Sequence, residues 1–218
     1  MEQKQLVIFD LDGTLLDTLP DLHGALIETL AAFGLPPRTM EETRRFVGNG
    51  IRRLVERAVP DETPLQTVDA AYHYYLSYYR GHCAEKTAPY PGVTDLLRAL
   101  RKAGKKTAVV SNKADAAVQS LCETYFRGLY DVCVGERAGV ARKPAPDSVN
   151  AVLAALGAAR VDAVYVGDSE VDIATAKNAG LPCISVTWGF RDRETLVRFG
   201  ASVFADNAEE LARLLIRQ

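Results

Sequence analysis

The sequence predicts an α/β protein: a doubly wound parallel sheet interrupted by an inserted all-helical domain. Three observations carry this. From Pro91 onward, short near-continuous apolar segments alternate with helical patterns, which is how strands buried on both faces between helices read. Between Thr18 and Glu85, four helical patterns follow one another with no strand among them. One further apolar segment, Leu6 to Phe9, precedes that stretch, so the helical part must leave the sheet after its first strand and return near Tyr90. The resulting division is 1–16 with 88–218 as the α/β core and 17–87 as the insertion.

Each element follows from local pattern. Leu6 to Phe9 runs straight into Asp10, Leu11, Asp12 and Gly13, a buried strand ending in a charged turn. Thr18 and Asp21 mark a helix start, and Leu19, Leu22, Leu26, Leu30 and Phe33 give that helix an apolar face to about Ala32. Thr39 with Glu42 repeats the capping pattern for a short helix ending near Val47. Gly48-Asn49-Gly50 breaks the chain before a helix carrying Ile51, Leu54, Val55 and Ala58. Leu65 to about Cys83 places Val68, Tyr72, Tyr75 and Tyr79 on one face.

Within the core, strands are expected at Lys106 to Ser111, Val132 to Val134, Ala163 to Val166, Cys183 to Val186 and Ser202 to Phe204. Helices are expected at Val93 to Ala103, Ala114 to Tyr125, Asp147 to Leu156, behind Asp168 to Ala179, Arg193 to Phe199 and Ala208 to Ile216.

Bulk properties narrow the function classes. A net charge of −2, with no dense run of Lys and Arg, offers no electrostatic footprint for nucleic acid. The four apolar residues before Asp10 are too few for a leader core of at least about 7, and no segment approaches the roughly 18 needed to span a membrane. Cys83, Cys122, Cys133 and Cys183 form no Cys-x-x-Cys pair, so reduced thiols in a cytoplasmic protein are expected. His23, His73 and His82 match no metal or catalytic spacing and are taken as structural or solvated.

Polar residues end several core strands: Asp10 and Asp12 after the first, Ser111 and Asn112 after the second, Asp168 and Asp172 after the strand at Val164 to Val166. Lys143, in Arg142-Lys143-Pro144-Ala145-Pro146, falls at the same sheet edge. Carboxylates at the ends of buried strands are costly unless a cation, a proton transfer or a hydrogen-bond network holds them, and the carboxyl edge of an open parallel sheet is where ligands bind. Taken singly, each residue also reads as a turn, a cap or a solvated side chain.

The set Asp10/Asp12, Ser111, Lys143 and Gly167-Asp168-x-x-x-Asp172 resembles, in order, the four motifs of the haloacid dehalogenase superfamily, most of whose members are phosphotransferases. The resemblance spans most of the core. It implies Asp10 as nucleophile forming an aspartyl phosphate and Asp12 as general acid and base. Ser111 and Lys143 would stabilise charge, and Thr14, Asn112 and Lys113 would bind substrate. Mg²⁺ would be held by the side chains of Asp10 and Asp168 and the carbonyl of Asp12, with Asp172 holding a metal-bound water or Lys143. Hard oxygen donors around a divalent cation suit an anionic phosphoester that an acidic site would otherwise repel.

The insertion resembles the superfamily's helical cap, with Asp17 and Thr87 to Pro91 flanking its hinges. Its Phe46-Val47-Gly48-Asn49-Gly50-Ile51-Arg52-Arg53-Leu54 resembles a stretch of phosphoglycolate phosphatases, as do Ser111-Asn112-Lys113 and Val186-Thr187-Trp188-Gly189-Phe190-Arg191. Gly48, Asn49 and Gly50 would present backbone donors and Arg52 (or Arg45 or Arg53) positive charge, so that a small carboxylate docks there. An interhelical turn with exposed arginines explains the same residues. Trp188 is read as packing.

The substrate expected is a small phosphorylated metabolite such as 2-phosphoglycolate, and the protein a monomer or homodimer. A pyrophosphatase or sugar-phosphate phosphatase of the superfamily remains open. A β-phosphoglucomutase would carry a histidine twelve residues after the nucleophile, where Leu22 stands beside His23. A non-enzymatic phospho-accepting regulator is disfavoured by the close Asp10/Asp12 pair, because hydrolysis needs the second acid and stable signalling does not.

Overall fold

The structure is a computed structural model and describes residues 4–216. The chain divides into two compact units: one joins the chain up to Leu16 with the chain from Pro89 onward, and the other is Asp17–Ala88. In chain order the elements are β1 (Leu6–Phe9), β2 (Leu16–Asp17), α1 (Leu19–Ala32), α2 (Met40–Phe46), α3 (Gly50–Ala58), α4 (Leu65–His82) and β3 (Ala88–Pro89). They continue with α5 (Val93–Lys102), β4 (Lys106–Ala114), α6 (Asp115–Phe126), β5 (Val132–Glu136), α7 (Asp147–Leu156) and β6 (Ala163–Gly167). The last are α8 (Glu170–Asn178), β7 (Cys183–Val186), α9 (Arg193–Arg198), β8 (Phe204–Ala205) and α10 (Ala208–Ile216).

In the α/β unit, six parallel strands lie in the order β5-β4-β1-β6-β7-β8. Side chains alternate across the sheet, so neighbouring residues of β1 serve different cores. Val7 and Phe9 pack with Val109, Val164 and Ile184 under residues of α5, α6 and α10. Leu6 and Ile8 pack with Ala108, Val110 and Tyr165 under α7 and α8. The chain steps from β1 to β4 and β5 on one side, then crosses to β6, β7 and β8 on the other. Strand order therefore reverses beside β1, and the crevice at such a switch point is where open α/β sheets bind ligands. Asp10 follows β1 and Asp168 follows β6, on the two sides of that crevice.

The Asp17–Ala88 unit is built from α1 to α4, as the periodicity predicts. Tyr75, fully buried on α4, donates its hydroxyl to the Leu22 carbonyl of α1 at 3.1 Å. The capping box at Thr39 forms, with Glu42 N–H on the Thr39 hydroxyl and Thr39 N–H on the Glu42 carboxylate.

Several local expectations are corrected. Thr18 occupies the N-cap of α1, but no capping bond forms, and its buried hydroxyl has no hydrogen-bond partner among the described residues. Asp21 turns instead to the far end of the unit, accepting Lys86 N–H at 2.9 Å, Thr87 N–H at 2.8 Å and the Thr87 hydroxyl at 2.8 Å. Three donors converging on one buried carboxylate outcompete a single cap bond. On α4, Ala71 is buried where Tyr72 was expected, and the Tyr72 ring lies under the Arg52 guanidinium, 5.5 Å from its centroid. The last strand is Phe204–Ala205 rather than Ser202 to Phe204, and β4 runs on past Ser111 to Ala114 through a register shift. Bulges of this kind collect near functional sites because they re-aim side chains. No helix among the described residues is long and apolar enough to cross a membrane.

Candidate active site

The loop leaving β1 is wound tightly. Thr14, Leu15 and Leu16 all return their N–H groups to the Leu11 carbonyl, and Gly13 N–H reaches Leu16 O at 2.9 Å. Gly13 has φ +89°, where a side chain would be strained, and a Cβ there would strike the Asp168 carboxylate. The sequence needs glycine at this point both for the turn and for the acid behind it.

Around this loop the predicted core residues come together. Lys143 Nζ lies 2.7 Å from Asp10 Oδ1 and 2.8 Å from Asp172 Oδ1, and all three side chains are buried. Asp168 Oδ1 accepts the Thr14 hydroxyl at 3.1 Å, and Asp168 Oδ2 accepts Phe190 N–H at 2.7 Å. Asp172 Oδ2 takes the Ser169 hydroxyl at 2.6 Å and the Ser169 N–H at 3.1 Å, which ties it to the start of α8. Asp12 Oδ1 pairs with Lys113 Nζ at 2.8 Å, and Asp12 Oδ2 receives the Ser111 hydroxyl at 3.3 Å. The carboxylate oxygens of Asp10, Asp168 and Asp172 lie within 4.8 Å of one another.

Electrostatics follow from crowding acids out of water. Burial and the neighbouring Asp172 raise the Asp10 carboxyl well above the usual range, against the pull of Lys143. Burial and Asp172 push Asp168 up to about 7, with the Phe190 N–H and the Thr14 hydroxyl opposing. Burial lowers Lys143, but Asp10 and Asp172 outweigh it and hold the ammonium above its ordinary range.

Four carboxylates here face two ammonium groups, those of Lys143 and Lys113. Among the described residues, the ion pairs of these ammonium groups go to Asp10, Asp172 and Asp12. A divalent cation would balance the excess of acid, and the hard oxygen donors of Asp10, Asp168 and Asp172 suit Mg²⁺. The Asp12 side chain stands outside this cluster.

Other predicted positions acquire unforeseen partners. The Thr14 hydroxyl, expected on substrate, is bonded to Asp168. Asn112 uses both polar atoms of its amide on Lys143: Oδ1 accepts Lys143 N–H at 2.8 Å and Nδ2 donates to Lys143 O at 3.1 Å. Lys113, expected to reach a substrate anion, holds Asp12. Trp188 packs against the core and donates Nε1–H to Thr14 O at 3.0 Å, consistent with a packing role.

In the helical unit, Gly48, Asn49 and Gly50 lead into α3, and Asn49 at its N-cap makes no side-chain cap bond. Arg52 is engaged by Glu56 at 2.7 Å and by Asp69, Arg53 by Glu56 at 2.8 Å, and Arg45 by Glu41 at 3.2 Å. His23 shares a 2.9 Å hydrogen bond with Thr43, and His73 and His82 each bond a backbone carbonyl one turn back. All four cysteines are free.

Sequence reasoning missed Tyr165. Its hydroxyl sits 3.2 Å from Lys143 Nζ and 3.3 Å from Asp172 Oδ1. The available signal was a polar-tipped aromatic inside the otherwise aliphatic run Ala163 to Val166, which must find a partner when buried.

The family model for haloacid dehalogenase-like hydrolases matches residues 7–186. Phosphoglycolate phosphatase 1 of Pseudomonas aeruginosa is 35% identical over 95% of this chain and 78% of its own length. The phosphoglycolate phosphatase of Mesorhizobium japonicum is 35% identical over 98% of this chain and 97% of its own. A crystal structure from Lactobacillus delbrueckii subsp. bulgaricus superposes with TM-score 0.94 at 38% identity, covering 99% of this chain and 100% of that one. With the family model matching 7–186 and the motif residues gathered on one sheet edge, the chain belongs to the haloacid dehalogenase-like hydrolases.

Proposed function

We propose that the protein is a Mg²⁺-dependent phosphatase that hydrolyses a small anionic phosphoester, 2-phosphoglycolate before others, through an aspartyl phosphate on Asp10. The observation that carries this reading is a buried carboxylate, Asp10, held by Lys143 at 2.7 Å and backed by two further buried acids that call for a cation. The relatives named phosphoglycolate phosphatase, at 35% identity, support the choice of substrate.

Each residue has a chemical task. Bound Mg²⁺, held by Asp10, Asp168 and the Asp12 carbonyl, with Asp172 holding Lys143 beside it, would neutralise the phosphoester and the acids around it. Asp10 attacks phosphorus, forming the acyl phosphate as the ester P–O bond breaks. Asp12 gives a proton to the departing oxygen and later takes one from the water that attacks the acyl phosphate, releasing inorganic phosphate and restoring Asp10. Lys113 and the Ser111 hydroxyl fix the rotamer of Asp12 for both transfers. Lys143 offsets the charge on Asp10 as the anionic phosphoryl group approaches. We assign Asp17–Ala88 as the family's helical cap, with Gly48, Asn49, Gly50 and Arg52 selecting the leaving group.

The test is phosphate release from 2-phosphoglycolate, pyrophosphate and sugar phosphates, each with Mg²⁺ and with EDTA. The expected result is preferred, Mg²⁺-dependent release from 2-phosphoglycolate. A preference for pyrophosphate overturns the substrate, full activity in EDTA overturns the metal, and no release from any member overturns the phosphatase.

A further inference from the structure

The Lys143 ammonium has three N–H bonds, and each finds an acceptor on a different element. These are Asp10 Oδ1 at 2.7 Å after β1, Asp172 Oδ1 at 2.8 Å on α8, and Tyr165 Oη at 3.2 Å within β6. Tyr165 is fully buried among aliphatic residues of the sheet. An ammonium only donates, so the phenol oxygen accepts from lysine. Its own proton then goes to Asp172 Oδ1 at 3.3 Å or Val110 O at 3.5 Å. A residue needed only for volume would be phenylalanine, without a hydroxyl to bury.

At the other end of the same residue, Asn112 clamps the Lys143 peptide through both of its amide atoms. Lysine side chains are flexible, with a long stem and three rotatable donors. Here the stem is fixed at its root by β4 and at its tip by β6.

The geometry points to Tyr165 and Asn112 as positioning residues that aim Lys143 at Asp10, acting through the lysine and not on the substrate. The inference rests on the phosphatase reading above. It gives Asn112 a different task from the substrate contact that its motif position implies. Without the phenol, one ammonium N–H loses its acceptor inside the sheet, and the lysine swings toward other oxygens. Without the amide, the Lys143 peptide loses two hydrogen bonds to β4.

The experiment uses the full-length enzyme with Mg²⁺ and p-nitrophenyl phosphate as probe. Tyr165→Phe and Asn112→Ala should each lower kcat roughly 10- to 100-fold, with KM within about twofold of wild type. In a Lys143→Met background, measured in single turnover, each should cost less than about twofold, because the residue it serves is gone. A raised KM with intact kcat would make the residue a substrate contact and overturn the inference. An undiminished loss in the Met background would make it independent of Lys143 and would overturn the inference equally.

Should Tyr165→Phe fold poorly, melting temperature reads the same coupling. The fall in melting temperature caused by Tyr165→Phe should be smaller in the Lys143→Met background than in the wild type, since no ammonium there loses an acceptor. An equal or larger fall in the Lys143→Met background refutes the inference. A wild-type enzyme inactive on every phosphoester sinks the phosphatase reading, while this melting comparison still decides the Lys143–Tyr165 link.

Discussion

Gly189 lies outside every acidic motif, yet the site closes on it. A Cβ built at that position meets Asp168 Cβ, Asp168 Oδ2 and the Gly13 carbonyl, all well inside contact distance. Carbon atoms need about 3.5 Å, so Gly189→Ala must drive Asp168 or the Gly13 loop back by roughly 1 Å. The next residue, Phe190, donates its N–H to Asp168 Oδ2 at 2.7 Å, so moving the loop also breaks the bond that orients the acid. Overpacking of this kind costs about 1–3 kcal/mol, a fall in melting temperature of roughly 3–10 °C for a chain of this size. The larger effect is on the proposed cation. Disturbing the support of a ligating carboxylate typically weakens metal binding by roughly 10- to 100-fold. Turnover measured against Mg²⁺ concentration should therefore show the half-saturating concentration raised by that factor, with partial recovery at high Mg²⁺. Calorimetric melting supplies the stability change. An alanine variant with wild-type Mg²⁺ dependence and melting temperature would show that Gly189 does not buttress Asp168, and the reasoning fails.

Three further outcomes are expected. Asp10→Asn should lower turnover by about 10³-fold or more while the protein still melts cooperatively; near-normal turnover ends the nucleophile assignment. In EDTA, stability should fall as pH rises from about 4 to about 7, because Asp168, held near 7, keeps a proton in the native state that an unfolded carboxylate has released. The Asp168 share of the slope is at most about 1.4 kcal/mol per pH unit; the slope should lessen by that share in Asp168→Asn, Asp10 with its raised carboxyl keeping the remainder, and should shrink in saturating Mg²⁺, and identical profiles for wild type and Asp168→Asn refute it. Asp21→Ala removes the acceptor of the hydrogen bonds from Lys86 and Thr87. It should lower the unfolding free energy by about 3 kcal/mol in urea titrations, and a change under about 0.5 kcal/mol would show that the anchor is unimportant.

Periodicity is a local property, and it located most of what is local. Leu6 to Phe9, Asp147 to Leu156 and the elements near Cys183 to Val186 and Ala208 to Ile216 were legible, because strand and helix repeats write burial directly into neighbouring positions. Short edge strands carry too few residues for a repeat, which is why β8 shares only Phe204 with the segment expected. A capping pattern is also local, yet Thr39 and Glu42 use it while Thr18 and Asp21 do not. The difference is a competitor 65 residues away, Lys86-Thr87, which no window of sequence contains.

The site divides in the same way. Asp10, Asp12, Ser111, Lys143, Asp168 and Asp172 could be named from residue type and position at strand ends, since an acid or a lysine there demands compensation. By itself the sequence determined the sheet, the helical insertion and the chemical groups on one rim. Only the tertiary structure decided who holds whom: Thr14 on Asp168, Asn112 on the Lys143 peptide, Tyr165 on the Lys143 ammonium, Lys113 on Asp12. Those pairings join residues from 22 to 154 positions apart. They are set by hydrogen-bond geometry at a few tenths of an ångström, which the spacing of residues along a chain does not encode.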